Sequence, residues 1–403
     1  MQETWRWFGP KDQVSIPDVV QAGARGIVTA LHHQPPGAVW PLREIRERQE
    51  EIRTGSRSLP TPIEWSVVES LPVSEDIKRQ TGDWRAHIEN YKISLKNLFE
   101  AGIEVICYNF MPLLDWTRTD LSHEIETGAT CMRFDLIDFI MFDVFILERK
   151  GAAEEHDAAL VSEAQLRFQS ASDSFKARLV NNIICGLPGA ADHFSLEDIK
   201  EHLKIYEPYD HQSLSQNHAD FMEMVAPFAQ ELGLRLCCHP DDPPVPLLGL
   251  PRIMSTEADY QRLIDAVDLP ANGITLCSGS LGARSDNDLP GMMDRLGDRV
   301  HFLHLRNVRR EHEDIFGSFH EAEHLGGDTD MAALVAAVLR EEKRRREAGR
   351  ADHSIPFRPD HGQDILDDLT RKAQPGYPAI GRLKGLAELR GLISGIQHVT
   401  ENA

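Results

Sequence analysis

Residues 300–307 of the chain read Val300-His301-Phe302-Leu303-His304-Leu305-Arg306-Asn307, a β-rich run that ends in a polar pair. Eight such runs recur along the chain: Thr4–Phe8, Gly26–Leu31, Ile63–Val68, Ile103–Asn109, Leu234–Cys238, Gly273–Cys277, Val300–Leu305 and Ser354–Arg358. Helical stretches lie between most of them, for example Pro17–Ala22, Asp83–Ala101, Ala219–Leu232, Glu257–Ala266 and Met331–Ala348. Strands that alternate with helices predict a parallel sheet, and eight such units predict an α/β fold of the (β/α)8 TIM barrel type.

The connection after the fourth run is too long for a simple βα unit. Between Asn109 and Leu234 lie a polar segment, Thr117–Thr130, and helix-like runs near Phe134–Lys150 and Glu163–Cys185. We interpret residues 117–200 as a helical insertion in a single domain that spans residues 1–403. Because all βα loops of a barrel emerge at one face, we expect the insertion to cap the active-site mouth. A doubly wound sheet is the alternative fold, but no Gly-rich phosphate loop follows any of the runs.

The composition excludes several classes of partner. The 403 residues carry a formal net charge of −21, and the one basic block, Lys343–Arg346, sits among glutamates, so binding to nucleic acid or to an acidic membrane is not expected. The six cysteines form no CxxC pair, which favours a reducing compartment over a disulfide framework. The N-terminus lacks the apolar core of a signal peptide, and no apolar run approaches the ~20 residues of a membrane span. We therefore expect a soluble, cytoplasmic protein.

Four potential metal ligands follow the last four strands: His239, Cys277, His304 and Asp360. Strand ends converge on one rim of a barrel, so residues remote in sequence can meet around one ion. Two imidazoles, a thiolate and a carboxylate suit Mn²⁺, Fe²⁺, Co²⁺ or Zn²⁺ better than Ca²⁺, which prefers oxygen ligands throughout. Each residue alone is more often a core or rim side chain; their position at four successive strand ends predicts a catalytic metal site.

Strand alternation distinguishes the two histidines of the seventh run. Side chains two residues apart share a face, so Phe302, His304 and Arg306 point one way and His301 points the other. His304 is therefore the predicted ligand. Arg306 is carried toward the same mouth, where its guanidinium suits the carboxylate of an anionic substrate.

The sequence resembles the mannonate dehydratases, a family within the xylose-isomerase-like barrel group, over nearly its whole length. The fragments that carry the resemblance, in order, are Trp5–Pro10, Gly26–His33, Tyr108–Pro112, Asp115–Thr119, His239–Pro244, Cys277–Gly282, His304–Val308, Arg358–Gly362 and Pro375–Pro378. The resemblance implies dehydration of D-mannonate to 2-keto-3-deoxy-D-gluconate in hexuronate (glucuronate) catabolism. It also implies one Mn²⁺ or Fe²⁺ ion per chain, held by the four ligands above, and catalytic roles for His361 and Tyr377 that the residues alone do not reveal.

The division of work between His361 and Tyr377, as base near C2 and acid near the C3 hydroxyl, is left open by the sequence. Further substrate contacts are predicted for Trp116 and Arg118 on the fourth βα loop, for His32 and His33 after the second strand, and for His320 in the seventh connection. For each of these the alternative is an ordinary loop or structural residue. A homo-oligomer, dimeric or larger, is also expected from the helical exterior of a barrel.

The sequence disfavours three other functions. A sugar isomerase or epimerase of the same barrel group commonly carries a carboxylate-rich metal site, whereas a cysteine and two histidines dominate here. A non-catalytic sugar-acid-binding barrel predicts lost ligands, and all four are present. A metal-dependent endonuclease is disfavoured by the negative charge and the lack of a basic groove signature.

Overall fold

Eight parallel strands close into a barrel, in the hydrogen-bonded order β1-β12-β9-β8-β7-β4-β3-β2. The computed structural model describes residues 1–184, 196–312 and 314–401. The barrel strands are β1 (Gln2–Arg6), β2 (Gly26–Thr29), β3 (Glu64–Glu69), β4 (Val105–Tyr108), β7 (Arg235–Cys238), β8 (Asn272–Cys277), β9 (Val300–Leu305) and β12 (Pro356–Pro359). Each overlaps one of the eight predicted runs, so the (β/α)8 fold is confirmed.

Helices surround the barrel and begin at recognisable caps. Ser15, Asp210 and Thr256 each form a capping box at the start of a helix, satisfying backbone donors that have no partner within the helix. The helices outside the insertion are α1 (Ile16–Ala22), α2 (Leu42–Gly55), α3 (Glu75–Arg79), α4 (Trp84–Glu100), α10 (His211–Glu231), α11 (Glu257–Ala266), α12 (Ser278–Gly282), α13 (Leu289–Leu296), a 3-10 turn (Gly297–Arg299), α14 (Met331–Glu347), α15 (Asp368–Arg371) and α16 (Ile380–Glu401). The five predicted helices all form, and α10 begins eight residues before the predicted start.

The barrel interior is filled by small and medium side chains, among them Val28, Val67, Val105, Cys107, Cys237 and Phe302, which form one buried cluster. Because alternate residues of a strand share a face, Cys237 and Phe302 inside the barrel place His239 and His304, two residues further on, at its C-terminal rim. Packing of the interior therefore turns the side chains of His239 and His304 toward the barrel axis at the rim.

A long helical insertion follows β4, as predicted. Its described helices are α5 (Leu136–Met141), a π-helical turn (Phe142–Ile146), α6 (Ala152–Glu155), α7 (Ala158–Ser170), α8 (Asp173–Ile184) and α9 (Leu196–Tyr206). All of these helical segments except α6 share a second hydrophobic core with the loop around Leu248. Residues 185–195, part of the predicted insertion and including Cys185, lie outside the described residues.

A second, four-stranded antiparallel sheet was not predicted. It has the order β10-β11-β6-β5 and joins the fourth connection to the connection after β9. Its strands are β5 (Asp120–Glu124), β6 (Thr130–Phe134), β10 (Asn307–Arg310) and β11 (Phe319–Ala322). The segment interpreted from sequence as polar, Thr117–Thr130, thus contains the edge strand β5, which pairs with the adjacent β6. β6 in turn pairs with β11, which comes from far along the chain. Within the described ranges, no helix combines the length and the apolar character needed to cross a membrane.

Candidate active site

Three of the four predicted metal ligands meet at the C-terminal rim of the barrel. One side-chain atom from each of His239, Cys277 and His304 lies within 4.8 Å of the other two. The Nε2 atom of His239 and the Nδ1 atom of His304 are 3.1 Å apart. Two imidazole nitrogens at this distance share at most one proton, so at least one lone pair faces the centre of the group.

The donor atoms of this group are held by their own neighbours. Nδ1 of His239 donates to the carbonyl of Pro240 at 2.7 Å, which directs Nε2 toward the group. The sulfur of Cys277 accepts from the backbone N–H and the hydroxyl of Ser280, at 3.4 and 3.2 Å. Burial opposes ionisation of Cys277, but Arg306 and the two histidines outweigh it and hold the pKa of the thiol well below its usual range. Burial also disfavours charged His239, yet Cys277 raises the pKa of that imidazole to about 10.

Asp360 reaches two members of the group. Its Oδ2 lies 3.6 Å from the Cys277 sulfur and 3.9 Å from Nδ1 of His304. Arg358, two residues earlier on the same strand face, donates to the other oxygen of Asp360 and binds both oxygens of Glu69 at 3.0 and 2.8 Å. Although burial opposes it, Arg358 holds the pKa of both carboxyls well below the usual range.

His361 and Tyr377 form a buried hydrogen-bonded pair. The Tyr377 hydroxyl lies 3.2 Å from Nε2 of His361, and Oε1 of Glu321 lies 2.6 Å from Nδ1. Nη1 of Arg306 also approaches Nδ1, at 2.9 Å, but the shorter contact with an ionised acceptor places the proton on Nδ1. His361 therefore donates to Glu321 and accepts from Tyr377. Gly376, at φ 78°, allows this approach, because a Cβ there would lie 3.1 Å from the His361 ring.

Arg306 and Arg118 both bind the carboxylate of Asp242. Arg306 donates through Nη2 to Asp242 at 2.7 Å and to Ser280 at 3.1 Å. Arg118 is fully buried, donates to both oxygens of Asp242 at 2.7 and 3.2 Å, and reaches Glu321 at 3.3 Å. Burial raises the pKa of Asp242, but the two arginines outweigh it and lower that pKa below the usual range. Both arginines belong to the site, and protein acceptors already occupy most of their donors.

The other predicted substrate contacts lie at different distances from the group. Trp116 is buried, and its backbone forms a bridge with Asp242. His32 is buried, with Nε2 3.3 Å from Arg6, which pairs with Glu69. His33 pairs with Glu44 on α2, and its side chain is 57% exposed. His320 lies beside Glu311, at 3.5 Å, on the face of β11 opposite to Glu321. The structure does not bring His33 or His320 to the metal-ligand group, so their substrate contacts stay predictions.

Four charged residues of the site were not predicted from sequence: Glu69, Asp242, Glu321 and Arg358. Glu69 ends β3 and Arg358 lies two residues before Asp360, so strand alternation would have indicated both. Asp242 stands in the His239–Pro244 fragment without an assigned role. A role for Glu321 could not be inferred from the sequence, because its approach to His361 depends on the second sheet.

The arrangement combines two capabilities. Two imidazoles, an ionised thiol and a nearby carboxylate form a donor set that fits a divalent transition metal. Beside it, a phenol and an imidazole share one hydrogen bond, so that one can give and the other take a proton. Both lie where a barrel places its chemistry, at the ends of its strands.

Comparison with known proteins gives consistent results over the full chain. The family model for D-mannonate dehydratase (UxuA) matches residues 1–403. A mannonate dehydratase from Rhizobium meliloti is 56% identical over 400 residues, covering 99% of this chain and 98% of that protein. Mannonate dehydratase 1 from Agrobacterium fabrum is 56% identical over 398 residues, covering 99% and 98%.

Solved structures agree on the architecture. The crystal structure of mannonate dehydratase from Streptococcus suis serotype 2 matches with a TM-score of 0.76 at 30% identity, covering 100% of this chain and 95% of that one. A D-psicose 3-epimerase solved in the presence of D-fructose matches with a TM-score of 0.50 at 12% identity, covering 98% and 100%. At that identity the second match indicates a shared fold alone.

Proposed function

The chain belongs to the D-mannonate dehydratase family, and from this membership we propose that the rim carrying His239, Cys277 and His304 is where it removes water from D-mannonate to give 2-keto-3-deoxy-D-gluconate. The enzyme is a hydro-lyase acting on a sugar acid. The observation that carries the assignment to this rim is the convergence of the three donor atoms within 4.8 Å, next to the His361–Tyr377 pair.

We propose that His239, Cys277, His304 and Asp360 hold one divalent metal ion, Mn²⁺ or Fe²⁺. The facing nitrogens of His239 and His304, at 3.1 Å, and the ionised Cys277 sulfur support this, because a cation satisfies several lone pairs that a single proton cannot. When bound, the ion would act as a Lewis acid that offsets the negative charge developing beside the substrate carboxylate as C2 loses its proton.

His361 and Tyr377 handle the protons in this proposal. Burial raises the pKa of Tyr377 above its usual value, so the resting phenol is protonated and donates to Nε2 of His361, which carries no proton of its own. His361 is accordingly the base that takes the C2 proton, and Tyr377 is the acid that protonates the C3 hydroxyl as it leaves as water. The resulting enol then tautomerises to the 2-keto acid. Each group contributes ~10²–10⁴-fold to the rate by this kind of catalysis.

Arg306 and Arg118 organise the rim around this pair. Arg306 lies between Asp242, His361 and Asp360, at 2.7, 2.9 and 3.4 Å, and places a fixed positive charge beside the proposed metal ligands. Arg118 connects the insertion to Asp242 on the loop after β7 and to Glu321 on β11. This connection supports the proposal that the insertion, residues 117–200, caps the mouth of a single domain.

The cellular setting is a proposal of the same kind. All five cysteines among the described residues are free and buried, which fits a reducing compartment such as the cytoplasm. We place the reaction in hexuronate catabolism, and we expect the protein to act as a homo-oligomer.

The test is an assay of the purified, Mn²⁺-loaded protein with a panel of aldonic acids, with detection of the 2-keto-3-deoxy product. We expect D-mannonate to give the fastest turnover. Isotope-labelled substrate separates this activity from isomerisation, since only the lyase releases the C3 oxygen as water. Conversion of D-mannonate without loss of that oxygen would contradict the proposal.

A further inference from the structure

One side of the rim carries polar groups that neither the proposed metal site nor the proton-transfer pair uses. It lies between β4 and β7. Cys107 faces the barrel interior, so Asn109, two residues on, faces the mouth. The backbone N–H of His239 donates to the carbonyl of Tyr108 at 2.9 Å, which places Asn109 beside His239 at the same level of the barrel.

Asn109 is hydrogen-bonded to Asp115, its amide donating to Oδ2 at 2.6 Å. Among the described residues, Asn109 is the one hydrogen-bond donor to this carboxylate, so the other oxygen has open acceptor positions. Asp115 and His239 lie close enough for their charges to interact. Asn109, Asp115 and His239 are all partly exposed, whereas Arg118, Arg306 and Trp116 are buried. Within the described part of the rim, this pair therefore offers polar atoms to a ligand.

A buried cation lies near the pair. The side chain of Arg252 is fully buried, and none of its three nitrogens has a hydrogen-bond partner in the described part of the chain. Its one ion pair there is with Asp241, at 4.0 Å, and that carboxylate already accepts from the backbone of Met254 and the hydroxyl of Ser255. Arg252 and Asp115 also lie close enough for their charges to interact favourably.

We propose that Asn109 and Asp115 form a hydroxyl-binding subsite that takes the end of the sugar acid remote from its carboxylate and so selects for substrate length and configuration. A carboxylate next to an amide accepts from and donates to neighbouring hydroxyls, which matches a polyol chain. The substrate's own carboxylate is repelled by Asp115 and is directed away from it, toward Arg306. This inference rests on the proposed function and adds the group that recognises the far end of the substrate.

The test compares two acids that share the reacting end. D-mannonate and five-carbon D-lyxonate have the same configuration at C2, C3 and C4, but D-lyxonate lacks the terminal carbon. For Asp115→Ala and the milder Asp115→Asn, we expect kcat/KM for D-mannonate to fall by ~10–150-fold, the loss of a hydrogen bond to a charged group. For D-lyxonate, kcat/KM or the competitive inhibition constant should change by less than about threefold, because this acid lacks the terminal carbon and loses no hydrogen bond at the subsite. Asp294→Asn, which breaks an exposed ion pair with Arg340, is the matched control.

The outcomes separate the two proposals. Equal losses for both acids at unchanged metal content would place Asp115 at the reacting end and overturn the subsite, as would no loss for either acid. If the unaltered protein does not dehydrate D-mannonate, the proposed function fails. Calorimetric binding of the two acids to the unaltered protein and to Asp115→Asn then decides the subsite. A selective loss of D-mannonate binding would support it, and a loss for both acids or for neither would overturn it.

Discussion

Replacing Glu321 with glutamine tests whether the second sheet sets the protonation of the proposed catalytic base. Glu321 accepts from Nδ1 of His361 at 2.6 Å and so leaves Nε2 as the acceptor that faces Tyr377. Glutamine keeps the size of the side chain but can present an N–H₂ group to Nδ1. The imidazole proton would then move to Nε2, which faces the phenol. A protonated Nε2 has no lone pair and cannot act as a base.

The size of the effect follows from the bond that is lost. A hydrogen bond to a charged group contributes about 1.5–3 kcal/mol, and 1.4 kcal/mol corresponds to a tenfold change in rate, so kcat of Glu321→Gln should fall by ~10–150-fold. KM should change little, because Glu321 contacts His361, Arg118 and Arg306 within the protein and is not a proposed substrate contact. Steady-state assays of keto-acid formation, with metal content measured on the same samples, give both constants.

A matched control is available two residues away. Glu323 is about half exposed and pairs with Lys384, so Glu323→Gln removes the same charge from the same connection without touching His361. We expect that variant to keep the kcat of the unaltered protein. A Glu321→Gln variant with kcat within twofold of normal would refute the orienting role. A fall in kcat that tracks loss of bound metal or of thermal stability would assign Glu321 to the scaffold instead.

Three further predictions concern the metal, the acid and the second sheet. Exhaustive chelation should abolish activity, and Mn²⁺ or Fe²⁺ should restore it; full activity in metal-free protein would end the metal proposal. Tyr377→Phe should lower turnover by at least ~10²-fold with the fold intact, as circular dichroism can verify, and near-normal turnover would remove Tyr377 from the mechanism. Burial raises the pKa of Glu311, but Arg133 and His320 outweigh it and lower the pKa to about 2, below the unfolded value of ~4.3. The ion pair therefore stabilises the fold above about pH 4 and is lost toward pH 2. Glu311→Gln should cost about 1 kcal/mol or less in denaturant unfolding at pH 7 and nothing near pH 2, whereas a cost that does not change with pH would contradict this sign.

Strand propensity and side-chain alternation were sufficient to predict the strands of the barrel and several residues at their ends. Val300–Leu305 was predicted with the observed bounds, and period-two alternation correctly separated His304 from His301, because Phe302 occupies the barrel interior. The same rule placed Arg306 at the rim. Four of these strand ends converge because the barrel closes, which eight strand–helix units already implied.

The same reasoning failed for the second sheet, because its strands pair with partners that are distant in sequence. On β11 the sequence suggested His320, but alternation with the buried Phe319 turns Glu321 toward His361 and His320 toward Arg133 of β6. That register depends on β6, which lies almost two hundred residues earlier, where no strand was predicted from the sequence. The sequence predicted that Arg118 contacts the substrate. In the structure Arg118 binds Asp242 and Glu321, and no residue near it in sequence indicates these contacts.

Ion pairs, more than apolar packing, fix the positions of the side chains at the rim. Arg118, Arg306 and Arg358 are buried, and each contacts at least two carboxylates. Removing one partner of a buried pair leaves an uncompensated charge at a cost of about 3–5 kcal/mol, so the network resists rearrangement even though its net contribution to stability is small. Such rigidity is useful to a dehydratase, because charge develops at C2 and C3 within one active site and the protein groups that meet it must already be oriented. It follows that alanine variants of these arginines would report chiefly on folding. A change that keeps the shape of the side chain, such as Glu321→Gln, perturbs the scaffold less than alanine does, and the metal content and thermal stability of the variant show whether the effect on kcat is chemical.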